Sequence, residues 1–149
     1  MTRVAHPTIA PGTAEQQPPN APTWITTRIA RPARDLARST RFYRDLLGLA
    51  VLGGFIRHDG YDGVFFALPG GKELELTAGP ADPASGTEED LLVLYVSTAA
   101  EVAAIGSRLT AAGVRQIRST NPYWNVWGQT FLDPDGHRLV VSATQRDLP

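Results

Sequence analysis

The sequence predicts an α+β domain made of two copies of one βαβββ unit. Three observations predict it. An order of strand, helix and three strands occurs twice; a helix-start signal stands at the same point of each copy; and one offset superimposes the copies. Shifted by 65 positions, Leu47-Gly48-Leu49 meets Ala112-Gly113-Val114, and Phe66 meets Phe131. Under the same shift Pro69 meets Pro134, Gly71 meets Gly136, Leu74 meets Leu139 and Leu76 meets Val141.

Residues 1–22 read as a tail, with Pro7, Pro11, Pro18, Pro19 and Pro22 set among Thr, Gln, Ala and Gly and no apolar period. Such a segment buries too little to offset its ordering entropy. The fold is expected over residues 23–149, with the first unit at about 23–80 and the second at about 88–145.

The extended run TWITTRIARP stops at Pro32, and DLARSTRFYRDLLGL then reads as a helix. Asp35 can cap its first turn, and Gly48 suits the left-handed closing position. Leu36, Tyr43 and Leu47 share one face with Phe42 and Leu46 beside them, while Arg34, Arg38 and Arg41 form the opposite stripe, a solvated face or part of a dimer rim. The runs LAVLGGFI, GVFFALP and KELELTA read as strands, parted by the turn-formers HDGYDG and PGG. After a loop over residues 78–87, DLLVLYVS is the fifth strand, opening the second copy. Thr98 and Glu101 make a capping box, Val102, Ile105 and Leu109 a helical stripe, and Gly113 the stop. VRQIRST, GQTFLD and HRLVVSA complete the second copy, with Asp133-Pro134-Asp135-Gly136 as a type I turn and His137 at the surface.

Composition narrows the function. The chain has 149 residues, 42% of them apolar and 19% charged, which is one domain with enough material for a core. A net charge of −1 offers no basic surface for nucleic acid. With no cysteine, disulfides, zinc-thiolate sites and thiol nucleophiles are excluded. No apolar run reaches the length of a membrane span, and the expected location is cytoplasmic. P-loop, GxGxxG, GxSxG and HExxH motifs are all missing, so no nucleotide cofactor or hydrolase motif is indicated.

Three stretches, DLARSTRFYRDLLGL, KELELT and TFLDPDGHRLVV, in this order, resemble the vicinal oxygen chelate superfamily of glyoxalase I, extradiol dioxygenases and the bleomycin- and fosfomycin-resistance proteins. The resemblance spans roughly residues 24–143. It implies that the tandem units curl into a cup-shaped mixed sheet with the helices outside and the ligand inside, and a homodimer, the cup often being shared between subunits. Metal-binding members carry one ligand on each of four strands, and those positions correspond here to Arg28, Glu75, Leu91 and Val140. Only Glu75 has a donor suited to a divalent ion, so no metal and no cofactor are expected.

Arg28 and Glu75 are expected on the same face of the sheet, as an ion pair standing roughly where a metal would be, or as a plain structural salt bridge. Glu73, two residues from Glu75, shares its face and is expected to be the more solvated of the two. His58 and Tyr61, in HDGYDG, read either as ordinary hairpin residues or as rim groups, His58 then being available for acid–base work. Tyr123, Trp124 and Trp127 crowd the connection NPYWNVWG at the corresponding place in the second unit, and read as an aromatic wall for a ligand or as a core or interface cap. The expected function is metal-independent binding of a small hydrophobic or aromatic compound. The alternative is a lyase or isomerase acting beside a carbonyl through Glu75, His58 and Arg28; a metal-dependent enzyme of the glyoxalase or dioxygenase type ranks last.

Overall fold

The structure, a computed structural model, describes residues 18–82 and 86–144. Most of the tail expected over residues 1–22 therefore lies outside the described residues, as do residues 145–149. The first unit comprises β1 (Arg28–Pro32), α1 (Leu36–Thr40) continued by a π-helical stretch (Arg41–Leu46), β2 (Val51–His58), β3 (Tyr61–Leu68) and β4 (Lys72–Ala78). The second comprises β5 (Leu91–Val96), α2 (Ala99–Ala111), β6 (Gln116–Ile117), α3 (Tyr123–Trp127), β7 (Gly128–Leu132) and β8 (Arg138–Ala143).

Two open, four-stranded sheets result, ordered β1-β4-β3-β2 and β5-β8-β7-β6. In each, the first strand runs parallel to the last and the remaining neighbours are antiparallel. The 65-residue offset holds in the pairing itself: Phe66 stands opposite Leu74 and Val51, and Phe131 opposite Leu139 and Gln116. Both phenylalanines and both leucines are fully buried in one continuous core, which takes in Phe42 and Tyr43 from the first helix and Val102 and Leu109 from α2. The Tyr43 ring lies 5.6 Å from that of Phe66.

The helix signals operate as read, with refinements. Asp35 accepts the Arg38 N–H, and Thr98 accepts the Glu101 N–H while Glu101 reaches back to Ser97 N at 2.9 Å. Gly48 and Gly113 close the helices with φ of 75° and 87°. The first helix does not stay α: Leu47 N–H bonds Phe42 O at 3.1 Å, five residues back. That wider turn brings the adjacent residues Phe42 and Tyr43 into the core together.

Strand limits differ from expectation at two places. The run beginning at Thr23 pairs only from Arg28, which leaves Trp24 and Ile25 80% and 93% exposed. β1 ends at Pro32 as expected, the proline being tolerated because β1 lies at a sheet edge where no donor is needed. VRQIRST contributes only the two residues of β6. Ser119 is drawn out of strand pairing by Asn125, whose side chain accepts from Ser119 N at 2.8 Å and donates to Ser119 O at 3.0 Å.

The Asp133-Pro134-Asp135-Gly136 turn does more than join β7 to β8. Asp133 Oδ1 accepts from Asp135 N and His137 N, both at 2.9 Å, and Oδ2 accepts from the Tyr43 hydroxyl at 2.7 Å. Asp135 accepts from Arg34 N at 3.0 Å and from Ser39 Oγ at 3.3 Å. His137, expected at the surface, is instead 6% exposed, its Nε2 lying 3.1 Å from Pro32 O. One tight turn of the second unit thus clasps the strand and helix of the first. Burial, and then the neighbouring Asp133 carboxylate, push the Tyr43 pKa well above the ordinary tyrosine range, so the hydroxyl stays a donor.

Candidate functional site

Alternation along the strands sorts the candidate residues onto faces. Leu74 and Leu76 point toward α1, so Glu73, Glu75 and Thr77 occupy the opposite face of β4. Arg28 is the register partner of Glu73, and Ala30 that of Glu75. The Arg28 guanidinium places Nη2 at 2.6 Å and Nε at 2.9 Å from Glu73 Oε2, with Nη1 3.6 Å from Glu75 Oε2. It also lies 4.5 Å from the centroid of the Phe65 ring, and Phe65 is the register partner of Glu75.

Arg28 and Glu75 therefore share a face, as expected. The tighter partner is Glu73, which is also the more solvated of the two carboxylates, as expected, its side chain 33% exposed against 17% for Glu75. The strand pairing explains the tighter contact, because the parallel register sets Arg28 directly beside Glu73 and one step short of Glu75. One guanidinium thus meets two carboxylates on an open surface, with the Arg28 side chain 47% exposed. Phe55 extends this surface: its ring lies 5.8 Å from Phe65 and 6.0 Å from His58. Phe55 fits because Gly63 faces it across the strand pair, where a Cβ would collide with the ring.

His58 and Tyr61 stand at the tip of the β2–β3 hairpin, on either side of Asp59-Gly60 with φ of 50° and 84°, a left-handed two-residue turn. The His58 side chain is 78% exposed and has Asp59 Oδ2 3.6 Å away. From Tyr61, its register partner, to Phe65 is four residues of strand, roughly 13 Å. Glu75 lies beyond that and one strand further across, so His58 and Glu75 are not within reach of one proton. Tyr61 turns toward the end of β4, its ring packed over Gly79.

In the second unit, Leu91 and Val140 hold the positions that correspond to Arg28 and Glu75. Val140 is fully buried, and so are Thr130 and Ser142 on the same face. What lies across this face is the chain itself. Ser119 Oγ is 2.8 Å from Thr130 Oγ1, Asn125 holds Ser119, and Ser142 Oγ donates to Trp127 O at 3.4 Å. The aromatic stretch expected as a loop is thus the short helix α3, seated on β7 and β8, with Tyr123, Trp124 and Trp127 half-buried. Tyr123 and Trp124 meet edge to face at 5.0 Å. The signal for this helix was present in Asn121-Pro122: Asn121 accepts the Tyr123 N–H at 3.0 Å, and proline suits a first helical turn.

Gly128 lets α3 turn directly into β7. A Cβ there would stand 2.6 Å from Val141 O and 3.2 Å from Trp124 O, both of them backbone atoms that cannot swing aside. Gly128→Val is accordingly expected to lift α3 and cost about 1–3 kcal/mol, read as a lower urea midpoint with altered tryptophan fluorescence.

The donor set does not fit a divalent metal. Of the four positions, Arg28 is a cation, Leu91 and Val140 have no donor atoms, and Glu75 supplies one carboxylate. Among the described residues no group of three His, Cys, Asp or Glu side chains converges to hold an ion, and no helix is long and apolar enough to cross a membrane.

Tandem βαβββ units, parallel first-to-last strand pairing and open curved sheets define a vicinal oxygen chelate fold of the glyoxalase and bleomycin-resistance kind. Within that class the chain belongs to the YycE-like family: residues 27–77 match the YycE-like N-terminal domain and residues 89–143 the YycE-like C-terminal domain. It is 45% identical over 116 residues to the uncharacterized protein YycE of Bacillus subtilis, covering 76% of this chain and 84% of that one. The crystal structure of a B. subtilis YycE protein, described as a putative glyoxalase/fosfomycin resistance protein, aligns with a TM-score of 0.75 at 41% identity over 81% of this chain and 90% of that one. More distant structures share the fold. The trypanothione-dependent glyoxalase I of Leishmania major has a TM-score of 0.64 at 21% identity, covering 81% of this chain and 87% of its own. TnmS3, an antibiotic-binding protein from Streptomyces sp. CB03234, has a TM-score of 0.60 at 22% identity, covering 83% and 98%.

Proposed function

We propose that this protein binds a small planar aromatic compound without a metal, on the face of the first sheet that carries Arg28, Glu73, Glu75 and Phe65. The observation that carries this reading is the cluster itself: an open apolar surface of Phe65 and Phe55 beside charged groups, at positions where a chelate enzyme needs metal ligands. The single guanidinium is matched by two carboxylates, so the surface favours a neutral or cationic ligand over an anion, and the ring faces favour a flat one. Tyr61, Tyr123, Trp124 and Trp127 are proposed as further contacts.

The working form is a homodimer in the cytoplasm. Its support is the apolar surface left open on the single chain, where Trp24, Ile25, Leu52 and Ile56 all stand clear of the core. A soluble monomer rarely exposes such residues together. A second subunit covering them would also give the open Arg28 face an opposing wall.

The test is a fluorescence titration with 9-aminoacridine, a planar aromatic cation, in EDTA and again with added Mn, Ni or Zn salts. Saturable binding of equal affinity in all conditions is expected. Binding that appears only with metal would overturn the proposal. Glu75→Gln separates binding from catalysis: an enzyme using Glu75 as acid or base would lose conversion of its compound yet keep affinity, whereas a binding role predicts a change in affinity alone.

A further inference from the structure

On the helix side of the molecule, away from the Arg28 face, a cavity of about 540 Å³ opens along the seam between the two units. Its apolar floor includes Phe42 and Leu46 from the first helix and Leu132 from β7. Arg38 and Arg41 rise from the first helix on one side, and Arg115 from the connection after α2 on the other. Among the described residues, none of these three guanidiniums enters an ion pair. The nearby carboxylates are already engaged. Asp133, in the cavity wall, has both oxygens hydrogen-bonded to Tyr43, Asp135 N and His137 N. Asp45 is held by Arg44 at 2.8 Å, and Arg41 influences it only through its charge. Even the last carbonyls of α2 are taken, Leu109 O by Ala112 N and Val114 N and Thr110 O by Gly113 N.

We propose that this seam cavity is a second binding site, selective for a small organic anion: a phosphate or carboxylate head held among Arg38, Arg41 and Arg115, with an aromatic or aliphatic body on the Phe42–Leu46–Leu132 floor. The size matches ordinary small-molecule sites. Guanidiniums without carboxylate partners on either side of an apolar floor supply forked donors to anionic oxygens. The preference is opposite in sign to that of the Arg28 face, where carboxylates outnumber the cation. The cavity also joins the first helix to the turn that clasps it, so an occupant contacts both units at once.

Phenyl phosphate is the probe, with phenol and inorganic phosphate as its two halves, followed by amide chemical shifts of the ¹⁵N-labelled full chain. Saturable shifts are expected at Gly113, Arg115 and Gly136, with each half binding about tenfold or more weakly than the whole. Arg41→Glu with Arg115→Glu should weaken phenyl phosphate about tenfold or more, the spectrum otherwise keeping its folded dispersion. Arg38→Gln, a milder change, should weaken it in the same direction. Shifts confined to Arg28, Glu73 and Glu75, linear unsaturated shifts, or an affinity unmoved by the charge reversals would each overturn the proposal.

Discussion

Replacing Asp133 by alanine is expected to cost about 3 kcal/mol or more of folding stability, by removing three hydrogen bonds at once. The Tyr43 hydroxyl, in a residue that is fully buried, loses its acceptor, and the backbone N–H groups of Asp135 and His137 lose theirs. Burying an unpaired hydroxyl alone costs about 1–3 kcal/mol. Tyr43→Phe removes only that one bond and should cost less than the alanine substitution at Asp133. The two variants differ again in alkali. The Tyr43 pKa is raised chiefly by burial, so the folded state holds this proton where the unfolded chain, with a tyrosine pKa of about 10, releases it. The contribution is present in full below about pH 10 and is lost as pH rises further. Urea unfolding across that range should show the loss in wild type and in Asp133→Ala, and should lack it in Tyr43→Phe.

Phe66→Ala and Phe131→Ala should each cost about 3–5 kcal/mol, and by similar amounts. Both rings are fully buried, each opposite the equivalent leucine of its own sheet, so each truncation opens a cavity in the same setting. Leu52→Ala, on the exposed β2, should change the monomer's stability by no more than about 0.5 kcal/mol. Chemical unfolding of the three variants, at a protein concentration dilute enough to keep the chains monomeric, checks this. A large cost at Phe66 with a small one at Phe131 would mean that the two units do not share one cooperative core.

These expectations rest on features that were largely legible in the sequence, because the fold is written in periodicity and capping. The offset that matches Phe66 to Phe131 and Leu74 to Leu139 reappears as strand register, since a repeat that preserves alternation preserves pairing. Asp35, Thr98, Gly48 and Gly113 are local signals, satisfied within a few residues, and they act as read. What was not legible depended on distant partners. Arg28 turns to Glu73 because of parallel register across 45 positions, which no local pattern reveals. His137 is buried because its Nε2–H donates to the carbonyl of Pro32, 105 positions away, a contact made only once the units meet. The aromatic stretch misled for another reason: Asn121-Pro122 starts a helix as readily as it makes a loop, and five residues are too few for an apolar period to show.

The most direct measurement of the central claim is the dissociation constant of 9-aminoacridine for wild type and Phe65→Ala in EDTA, with amide shifts mapping the site. The Arg28 face predicts shifts at Arg28, Phe65 and Glu75, and a loss of about tenfold or more in affinity when the Phe65 ring is removed. Equal affinity in both proteins, with shifts elsewhere, would contradict the assignment of the ligand to this surface.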